Sequence, residues 1–267
     1  MSTMPESSKS PGIYNGMEIS SIGIIGYGAF GEFLESLINR FAPSATVKIY
    51  SSRFPADGQK FFAVEEVCKC DAVIFCCAIR DFENELKKLL PLIPKTTVIV
   101  DVATVKCHTT NLLRELAGER PYIASHPMFG PESYKKTKGD VTGYRIVITD
   151  STLDRTDLSA VMDFLSELGF SVSEMTPEEH DQHLANTLFL THYIGQTMKA
   201  GAFKRTPIDS VSFGSLMNAV ESVQHDEKLF HDVYKFNPFC KDAAERFHDA
   251  QDKVYDSLPG DRQINLN

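Results

Sequence analysis

A glycine-rich turn between a predicted strand and a predicted helix constrains this chain more than any other feature. The turn follows the apolar run at residues 22–25 and reads Gly26-Tyr27-Gly28-Ala29-Phe30-Gly31. Glycines at this spacing allow a tight turn, close approach of a pyrophosphate and close packing of helix on strand. The free amides at the helix N-terminus attract an anion. We therefore predict a dinucleotide site formed by Gly26, Gly28, Ala29, Phe30 and Gly31.

The first part of the chain alternates short apolar runs with helix-like stretches. The predicted strands cover residues 22–25, 46–50, 72–77, 97–100, 122–124 and 144–149, and the predicted helices cover 30–41, 82–90, 111–116 and 153–168. Apolar strands separated by helices are typical of a parallel sheet covered on both faces. We predict a doubly wound α/β domain of the Rossmann type at residues 19–175, in which the last strand follows the same parallel layout.

From residue 176 onward the pattern is helical. Thr176-Pro177-Glu178-Glu179 is a strong helix start, and one long helix is predicted from there to about residue 204. A helical segment of this length has little core of its own. We predict that residues 176–267 form an all-helical substrate and dimerisation domain that packs on a second copy. Residues 1–18 are polar and are predicted to be a disordered tail.

Composition excludes several classes of function. The net charge of −9 and the pI near 5.4 argue against nucleic-acid binding. No apolar run reaches the roughly 18 residues of a membrane span, and the first residues lack the apolar core of a secretory signal. The six cysteines show no disulfide framework. We expect a cytoplasmic protein, or a plastid protein if an upstream transit peptide has been removed.

The end of the second predicted strand indicates which dinucleotide binds. An NAD site usually carries Asp or Glu there to hold the ribose 2′-hydroxyl. This strand instead ends in Tyr50-Ser51-Ser52-Arg53. Hydroxyls and a guanidinium bind a 2′-phosphate that a carboxylate would repel. We predict NADP, held by Ser51, Ser52 and Arg53, with NAD less favoured; the alternative is that Arg53 only begins a solvated loop.

Two more strand ends lie where ligands bind in an open parallel sheet. One leads into Asp101 and Lys106, and the other leads into His126. A histidine at this edge has a pKa close to the working pH, so it can accept a proton as an alcohol is oxidised. A structural histidine fixed by the following Pro127 is the alternative that the residues alone leave open.

Three spaced motifs follow one another along the chain. They are Asp101-Val102-Ala103-Thr104-Val105-Lys106, then Ser125-His126-Pro127-Met128-Phe129-Gly130-Pro131-Glu132-Ser133, then His180-Asp181 with Ala185 and Thr191-His192. Together they resemble the prephenate/arogenate dehydrogenase family of tyrosine biosynthesis, most of all its compact plant and bacterial arogenate-type members. With the glycine turn, the resemblance covers residues 22 to about 247. It implies oxidative decarboxylation of a cyclohexadienol, with hydride transfer to the nicotinamide.

The resemblance also implies roles for individual residues. His126 is the expected general base for the ring hydroxyl, and Thr104 positions this histidine and the substrate. Glu132 matches an acid of the substrate pocket, and His192 matches a histidine that faces the substrate side chain. Asp101 is assigned to the cofactor site.

Two further substrate contacts are expected. Lys106 is a candidate to hold a carboxylate, with a surface lysine at a helix start as the alternative. Arogenate carries an ammonium group that favours a nearby acid, so Asn237, at a position that is acidic in arogenate-specific relatives, favours prephenate. The family's Thr-Arg pair is absent from residues 210–216, so the cation for the ring carboxylate stays unassigned.

Other functions fit parts of the pattern. One is a different small NADP-dependent reductase with a helical dimerisation domain, of the imine or pyrroline-carboxylate type, and another is a non-catalytic NADP-binding sensor. Metal catalysis is not expected, because His180 and His183 lack the further ligands that a site needs. The chain ends soon after the helical segment, so no regulatory domain is expected and any feedback by tyrosine would act at the active site.

Overall fold

The structure, a computed structural model, describes residues 13–14 and 17–259. The chain divides into two compact units between His180 and Asp181. The strands are β1 (Ile13–Tyr14), β2 (Met17–Glu18), β3 (Ser21–Ile25), β4 (Thr46–Tyr50), β5 (Ala72–Phe75), β6 (Val98–Asp101), β7 (Tyr122–Pro127), β8 (Arg145–Ser151) and β9 (Ser171–Glu174). The helices up to residue 167 are α1 (Ala29–Phe41), α2 (Val64–Val67), α3 (Ile79–Leu89), α4 (Lys106–Leu116), α5 (Pro131–Lys136) and α6 (Arg155–Glu167).

Seven of these strands form one sheet in the order β4-β3-β5-β6-β7-β8-β9. The order reverses at β3, as in a doubly wound fold, so the predicted Rossmann-type α/β class is confirmed. The register aligns the strand ends: Ile25 pairs with Tyr50 and Phe75, and Asp101 pairs with Phe75 and Ala124. The carboxyl ends of β3 to β7 therefore meet at one edge of the sheet, which is where such folds bind ligands.

The predicted strand at 144–149 exists, but its expected direction is wrong. It runs antiparallel to β7. A parallel neighbour needs a crossover long enough to return along the sheet. The only helix between β7 and β8 is α5, which has six residues and is too short for that crossover.

Strand β9 is absent from the sequence prediction. It pairs parallel with β8 at the edge of the sheet. Its sequence is Ser-Val-Ser-Glu and its side chains are half-buried or exposed, so no apolar run marks it. The prediction therefore missed it for lack of a hydrophobic signal.

The second unit is helical. It contains the second half of α7 (Pro177–Leu184), then a π-helical turn at Ala185–Phe189, and then α8 (Leu190–Ala200), α9 (Val211–Val223), α10 (Glu227–Phe236) and α11 (Cys240–Asp256). The predicted start of the long helix is confirmed, because Thr176 Oγ1 accepts from the Glu179 amide at 3.1 Å and Glu179 Oε2 accepts from the Thr176 amide at 2.9 Å. The continuous helical run ends at Ala200, slightly earlier than predicted.

Packing within the helical unit depends on close contacts and aromatic stacking. A Cβ on Gly195 of α8 would lie 2.6 Å from the Val223 side chain of α9, so only glycine allows this helix pair to approach so closely. Phe189 stacks on Phe230 with ring centroids 5.5 Å apart. Among the described residues, no helix is both long and apolar enough to cross a membrane.

Both predicted boundaries, at residues 18 and 175, lie in parts of the chain that the structure describes. Within the predicted tail, β1 and β2 pair with each other in antiparallel fashion, and the other residues of 1–18 lie outside the described residues. The division between the two units falls inside α7, whereas the sequence prediction placed the boundary just before this helix.

Candidate active site

The glycine turn has the shape of a pyrophosphate cradle. Gly26 has φ +98°, a conformation that side chains rarely adopt, and a Cβ there would lie 3.0 Å from the backbone that follows β5. A Cβ on Gly31 would lie 2.2 Å from the Gly26 carbonyl oxygen, so glycine is what lets α1 start so close to β3. Gly28 caps α1 and has open space where a Cβ would stand. No side chain caps the helix, whose first residues are Ala29 and Phe30, so its first amides are available to an anion.

The residues after β4 lie beside this turn. Ser51 is buried, whereas Ser52 and Arg53 are exposed. The Arg53 guanidinium donates to the carbonyl oxygen of Tyr27, and the Arg53 amide donates to Ser51 Oγ at 3.2 Å. The arginine side chain is therefore held against the glycine turn. No carboxylate occupies residues 51–53, so the segment presents hydroxyls and one cation.

A buried ion pair joins the ends of β6 and β7. The Lys106 ammonium lies 2.5 Å from Asp101 Oδ2, and both side chains have no solvent exposure. The same ammonium donates to the Ser125 carbonyl at 2.7 Å, and Ser125 Oγ donates to the Asp101 carbonyl at 3.0 Å. Asp101 Oδ1 accepts from the Ala103 amide at 2.8 Å. These bonds satisfy the buried charges and fix the backbone that directly precedes His126.

His126 lies at the carboxyl end of β7 and contacts a second histidine. Its Nδ1 is 2.9 Å from Nε2 of His180, in the first turn of α7, and the rings meet edge to face. The two residues are 5% and 3% exposed. Burial lowers the pKa of His126 well below its usual 6.5, and His180 and Lys106 lower it further. A neutral imidazole accepts a proton, so this arrangement offers a general base at the ligand edge of the sheet.

The segment after His126 is anchored by an aromatic cluster. Phe129 stacks on Tyr144 with centroids 4.9 Å apart and on Phe170 with centroids 5.4 Å apart. Phe33 of α1 meets Phe129 edge to face at 6.0 Å. Phe129 is therefore a packing residue, and it anchors the loop that follows His126.

Comparison with known proteins shows which family the chain resembles. Residues 57–174 match the profile of the prephenate dehydrogenase nucleotide-binding domain, and residues 197–266 match that of the TYRAAT1-like C-terminal domain. Arogenate dehydrogenase 1, chloroplastic, from Arabidopsis thaliana is 30% identical over 254 residues, which are 90% of this chain and 39% of the relative. These matches support the prephenate/arogenate dehydrogenase family for this chain.

Two further relatives agree with this family. Arogenate dehydrogenase 2, chloroplastic, from Arabidopsis thaliana is 27% identical over 250 residues, which are 90% of this chain and 70% of the relative. The crystal structure of prephenate dehydrogenase from A. aeolicus in complex with hydroxyphenyl propionate and NAD⁺ has a TM-score of 0.70, with 17% identity and 91% of each chain covered. The chain thus spans about two fifths of the first relative's length, and the structural match shows a shared fold.

Two residues predicted from the family motifs lie in the first unit, one on a loop and one in a helix. Thr104 is half-buried between β6 and α4, at the same sheet edge as His126. Glu132 stands in the first turn of α5, where its side chain is 74% exposed and lies 3.4 Å from Lys135. Glu132 is therefore exposed, and its role in a substrate pocket stays a prediction.

The predictions for the Asp101–Lys106 motif need correction. Lys106 is neither a surface lysine nor available to a substrate carboxylate, because it is fully buried and the carboxylate that it holds is that of Asp101. Asp101 in turn directs both carboxylate oxygens at Lys106 and Ala103. Both residues therefore support the site from within the protein instead of contacting substrate or cofactor.

Asn237 also has a different role from the one predicted. It is 2% exposed, its Nδ2 donates to the Asp181 carbonyl at 2.8 Å, and its Oδ1 accepts from the Phe239 amide at 2.9 Å. The amide therefore joins the main chain of α7 to the main chain at the start of α11. Asn237 therefore shapes the helical unit, and the argument that it selects prephenate is lost.

His192 lies in α8 of the helical unit. It is 5% exposed, and burial lowers its pKa below 6.5 although Asp226 acts in the opposite direction. Its Nδ1 has no hydrogen-bond partner in the part of the chain that the structure describes. A buried imidazole nitrogen without a partner is uncommon. This nitrogen is therefore consistent with the prediction that His192 contacts a substrate, which stays a prediction.

Proposed function

We propose that this chain is an NADP-dependent dehydrogenase that oxidatively decarboxylates a cyclohexadienol, prephenate or arogenate, in tyrosine biosynthesis. The observation that carries the proposal is the buried imidazole of His126 at the ligand edge of the sheet, with Nδ1 engaged by His180. The base and the glycine turn lie at the same ends of parallel strands. The names of the plant relatives and of the A. aeolicus enzyme support the same chemistry.

The proposed reaction assigns one task to His126. The nicotinamide, when bound, supplies the acceptor for the hydride that leaves the hydroxyl-bearing ring carbon. His126 accepts the hydroxyl proton at Nε2 as this C–H bond breaks. The bond to the carboxylate of the opposite ring carbon then breaks, its electron pair makes the ring aromatic, and carbon dioxide leaves. The proton returns from His126 to the phenolate oxygen, so the ring loses one hydride and one carbon dioxide.

The neighbouring residues keep the base in place during these steps. The buried pair of Asp101 and Lys106 fixes the backbone on the N-terminal side of His126, and the stacking of Phe129 fixes it on the C-terminal side. We propose that the Thr104 hydroxyl donates to or accepts from the substrate hydroxyl at this edge. Precise placement of this kind is where most of the catalytic effect of an oriented base arises.

The preference for NADP is supported by the residues after β4. Ser51, Ser52 and Arg53 offer hydroxyls and a cation, and no carboxylate stands there to repel a 2′-phosphate. Replacing Arg53 with Ala should raise the Michaelis constant for NADP by about tenfold, the value of one charge-assisted hydrogen bond. NAD, which lacks the 2′-phosphate, is the matched control and should be little affected. An equal loss with both cofactors, or a wild-type enzyme that prefers NAD, would contradict the assignment.

A substrate assay decides between prephenate and arogenate. The names of the plant relatives favour arogenate, and the buried position of Asn237 removes the residue argument for prephenate. Nicotinamide reduction should be followed with each substrate against NAD and NADP. Turnover in at least one of the four combinations is the expected result. An imine or pyrroline-carboxylate reductase, or a cofactor-binding sensor, would reduce no nicotinamide with either cyclohexadienol.

We infer that the helical unit also forms a homodimer. Large apolar side chains are exposed on the segment between α8 and α9 and at the start of α9, namely Phe203, Ile208 and Val211. Ile208 and Val211 are about nine-tenths exposed, at 91% and 90%, which is costly for isolated apolar residues that lie close together. Light scattering should give a dimer for the wild type and a monomer for Ile208→Glu with Val211→Glu. A wild-type monomer at micromolar concentration would refute the dimer.

A further inference from the structure

The contact between the two buried histidines assigns a specific role to His180. We propose that His180 is a positioning residue, which accepts a hydrogen bond from Nδ1 of His126 and thereby leaves the lone pair of His126 Nε2 for the substrate hydroxyl. The proposal rests on the proposed function, because it concerns how the base of that reaction is held. The observation behind it is the 2.9 Å separation of His126 Nδ1 and His180 Nε2.

The direction of this hydrogen bond follows from the chemistry of imidazole. A bond between two ring nitrogens needs one N–H and one lone pair. If His180 were the donor, the proton of neutral His126 would be on Nε2, and no nitrogen would remain to accept the hydroxyl proton. The productive arrangement therefore has His126 protonated on Nδ1 and His180 protonated on its own Nδ1. His180 then orients the base as a third group orients the histidine of a hydrolase triad.

Local structure fixes His180 where this role requires it. The capping interactions of Thr176 and Glu179 define the start of α7, and the His180 amide donates to the Thr176 carbonyl at 3.0 Å. On the other side, the bonds of Ser125 fix the backbone of His126. Since both rings are at least nine-tenths buried, bulk water does not compete for the bond between them.

The charges around the pair suit a transient proton. Arrival of a proton at Nε2 makes His126 an imidazolium, whose Nδ1–H is a stronger donor to His180. The pair holds at most one positive charge, because a doubly protonated His180 has no lone pair to accept with. The ammonium of Lys106 in α4 also lowers the pKa of His126. This ammonium disfavours a lasting imidazolium, so the proton is returned to the phenolate.

Two variants of His180 separate positioning from packing. His180→Leu removes the acceptor, whereas His180→Gln offers Oε1 close to the place of the lost Nε2. The protonation of the His126 ring should be read by NMR of the full chain labelled with ¹⁵N in its histidine rings. His183 is exposed and lies three residues after His180 in α7. The variant His183→Ala is therefore the matched control. If the leucine variant does not fold, His180→Phe keeps a ring there without an acceptor.

The expected result has two parts. Wild type and His180→Gln should both carry the His126 proton on Nδ1, and His180→Leu should lose this preference. The turnover number should fall by roughly 100-fold in His180→Leu, the lower limit for loss of an effective general base. His180→Gln should recover most of it, His183→Ala should retain it, and cofactor affinity should change in none of them.

Two results would contradict the proposed role of His180. A wild-type His126 protonated on Nε2 would overturn the proposal, as would a leucine variant that keeps both the Nδ1 proton and full turnover. If the wild type turned over neither prephenate nor arogenate, the proposed function would fail. The NMR measurement would then still decide whether His180 sets the tautomer of His126.

Discussion

Two parts of the same sheet edge form their sites in different ways. The dinucleotide edge, defined by Gly26–Gly31 and residues 51–53, consists mainly of backbone and exposed side chains. The histidine edge, defined by the Asp101–Lys106 pair, His126 and His180, is buried and is held by side-chain hydrogen bonds. The first should therefore tolerate changes that do not touch the turn, whereas the second couples the proposed catalysis to the stability of the fold.

The largest effect should come from the base of the histidine edge. Replacing His126 with Asn removes the proton acceptor, so the turnover number should fall by about 10³-fold or more. Cofactor affinity should persist, because the glycine turn is untouched; a cofactor titration by fluorescence checks this. Survival of turnover within about tenfold would assign the base elsewhere.

The second largest effect should be a loss of stability when the buried ion pair of the histidine edge is broken. Lys106→Met leaves the Asp101 carboxylate buried without its partner, which should lower the free energy of unfolding by about 3–5 kcal/mol. The double variant Asp101→Asn with Lys106→Met should recover part of this loss, because no uncompensated charge remains. Urea denaturation measures both. A single-variant loss as small as that of a surface pair, about 1 kcal/mol or less, would contradict the burial of this pair.

The dinucleotide edge should separate stability from binding. Gly28→Ala places a methyl group in open space, so stability should change by about 1 kcal/mol or less while cofactor affinity falls. Gly31→Ala is the matched contrast, because its Cβ would meet the Gly26 carbonyl oxygen at 2.2 Å, and it should destabilise the fold as well. Thermal unfolding with and without NADP compares the two. A stabilisation by NADP as large in Gly28→Ala as in the wild type would show that the turn is not a binding cradle.

The smallest effect should be seen in the pH profile, which reports on His126 of the histidine edge. The base must be neutral, so kcat/KM falls as pH drops through the pKa of His126 in the free enzyme. Burial, His180 and Lys106 lower this pKa well below 6.5. The acid limb of kcat/KM should therefore lie below pH 6.5, with no loss from His126 at higher pH. An acid limb at or above pH 6.5 would mean that the titrating group is not this buried imidazole.

The comparison also explains how much the sequence could predict. The glycine turn is local, so its position and the role of Gly31 were available from spacing alone. The strands β3 to β7 could be predicted because each coincides with a short, mainly apolar run, as is typical of parallel sheets. The direction of β8 and the existence of β9 were not, since one depends on the length of a crossover and the other is a polar edge strand.

The side-chain network of the histidine edge was beyond sequence reasoning for a physical reason. His126 and His180 are 54 residues apart in the chain, and their spacing carries no signal that they meet. The charge of Lys106 indicated a ligand, whereas its partner is Asp101 within its own motif. Asn237 was a candidate contact because of its type, and its two main-chain hydrogen bonds appear only in three dimensions.

The central claim, that the histidine edge supports oxidative decarboxylation, is tested most directly by stoichiometry. Carbon dioxide released and nicotinamide reduced should be measured together in single reactions of the wild-type chain with prephenate and with arogenate. Equal amounts of the two products, both abolished in His126→Asn, are the predicted result. Nicotinamide reduction without carbon dioxide, or equal release by the variant, would contradict the account.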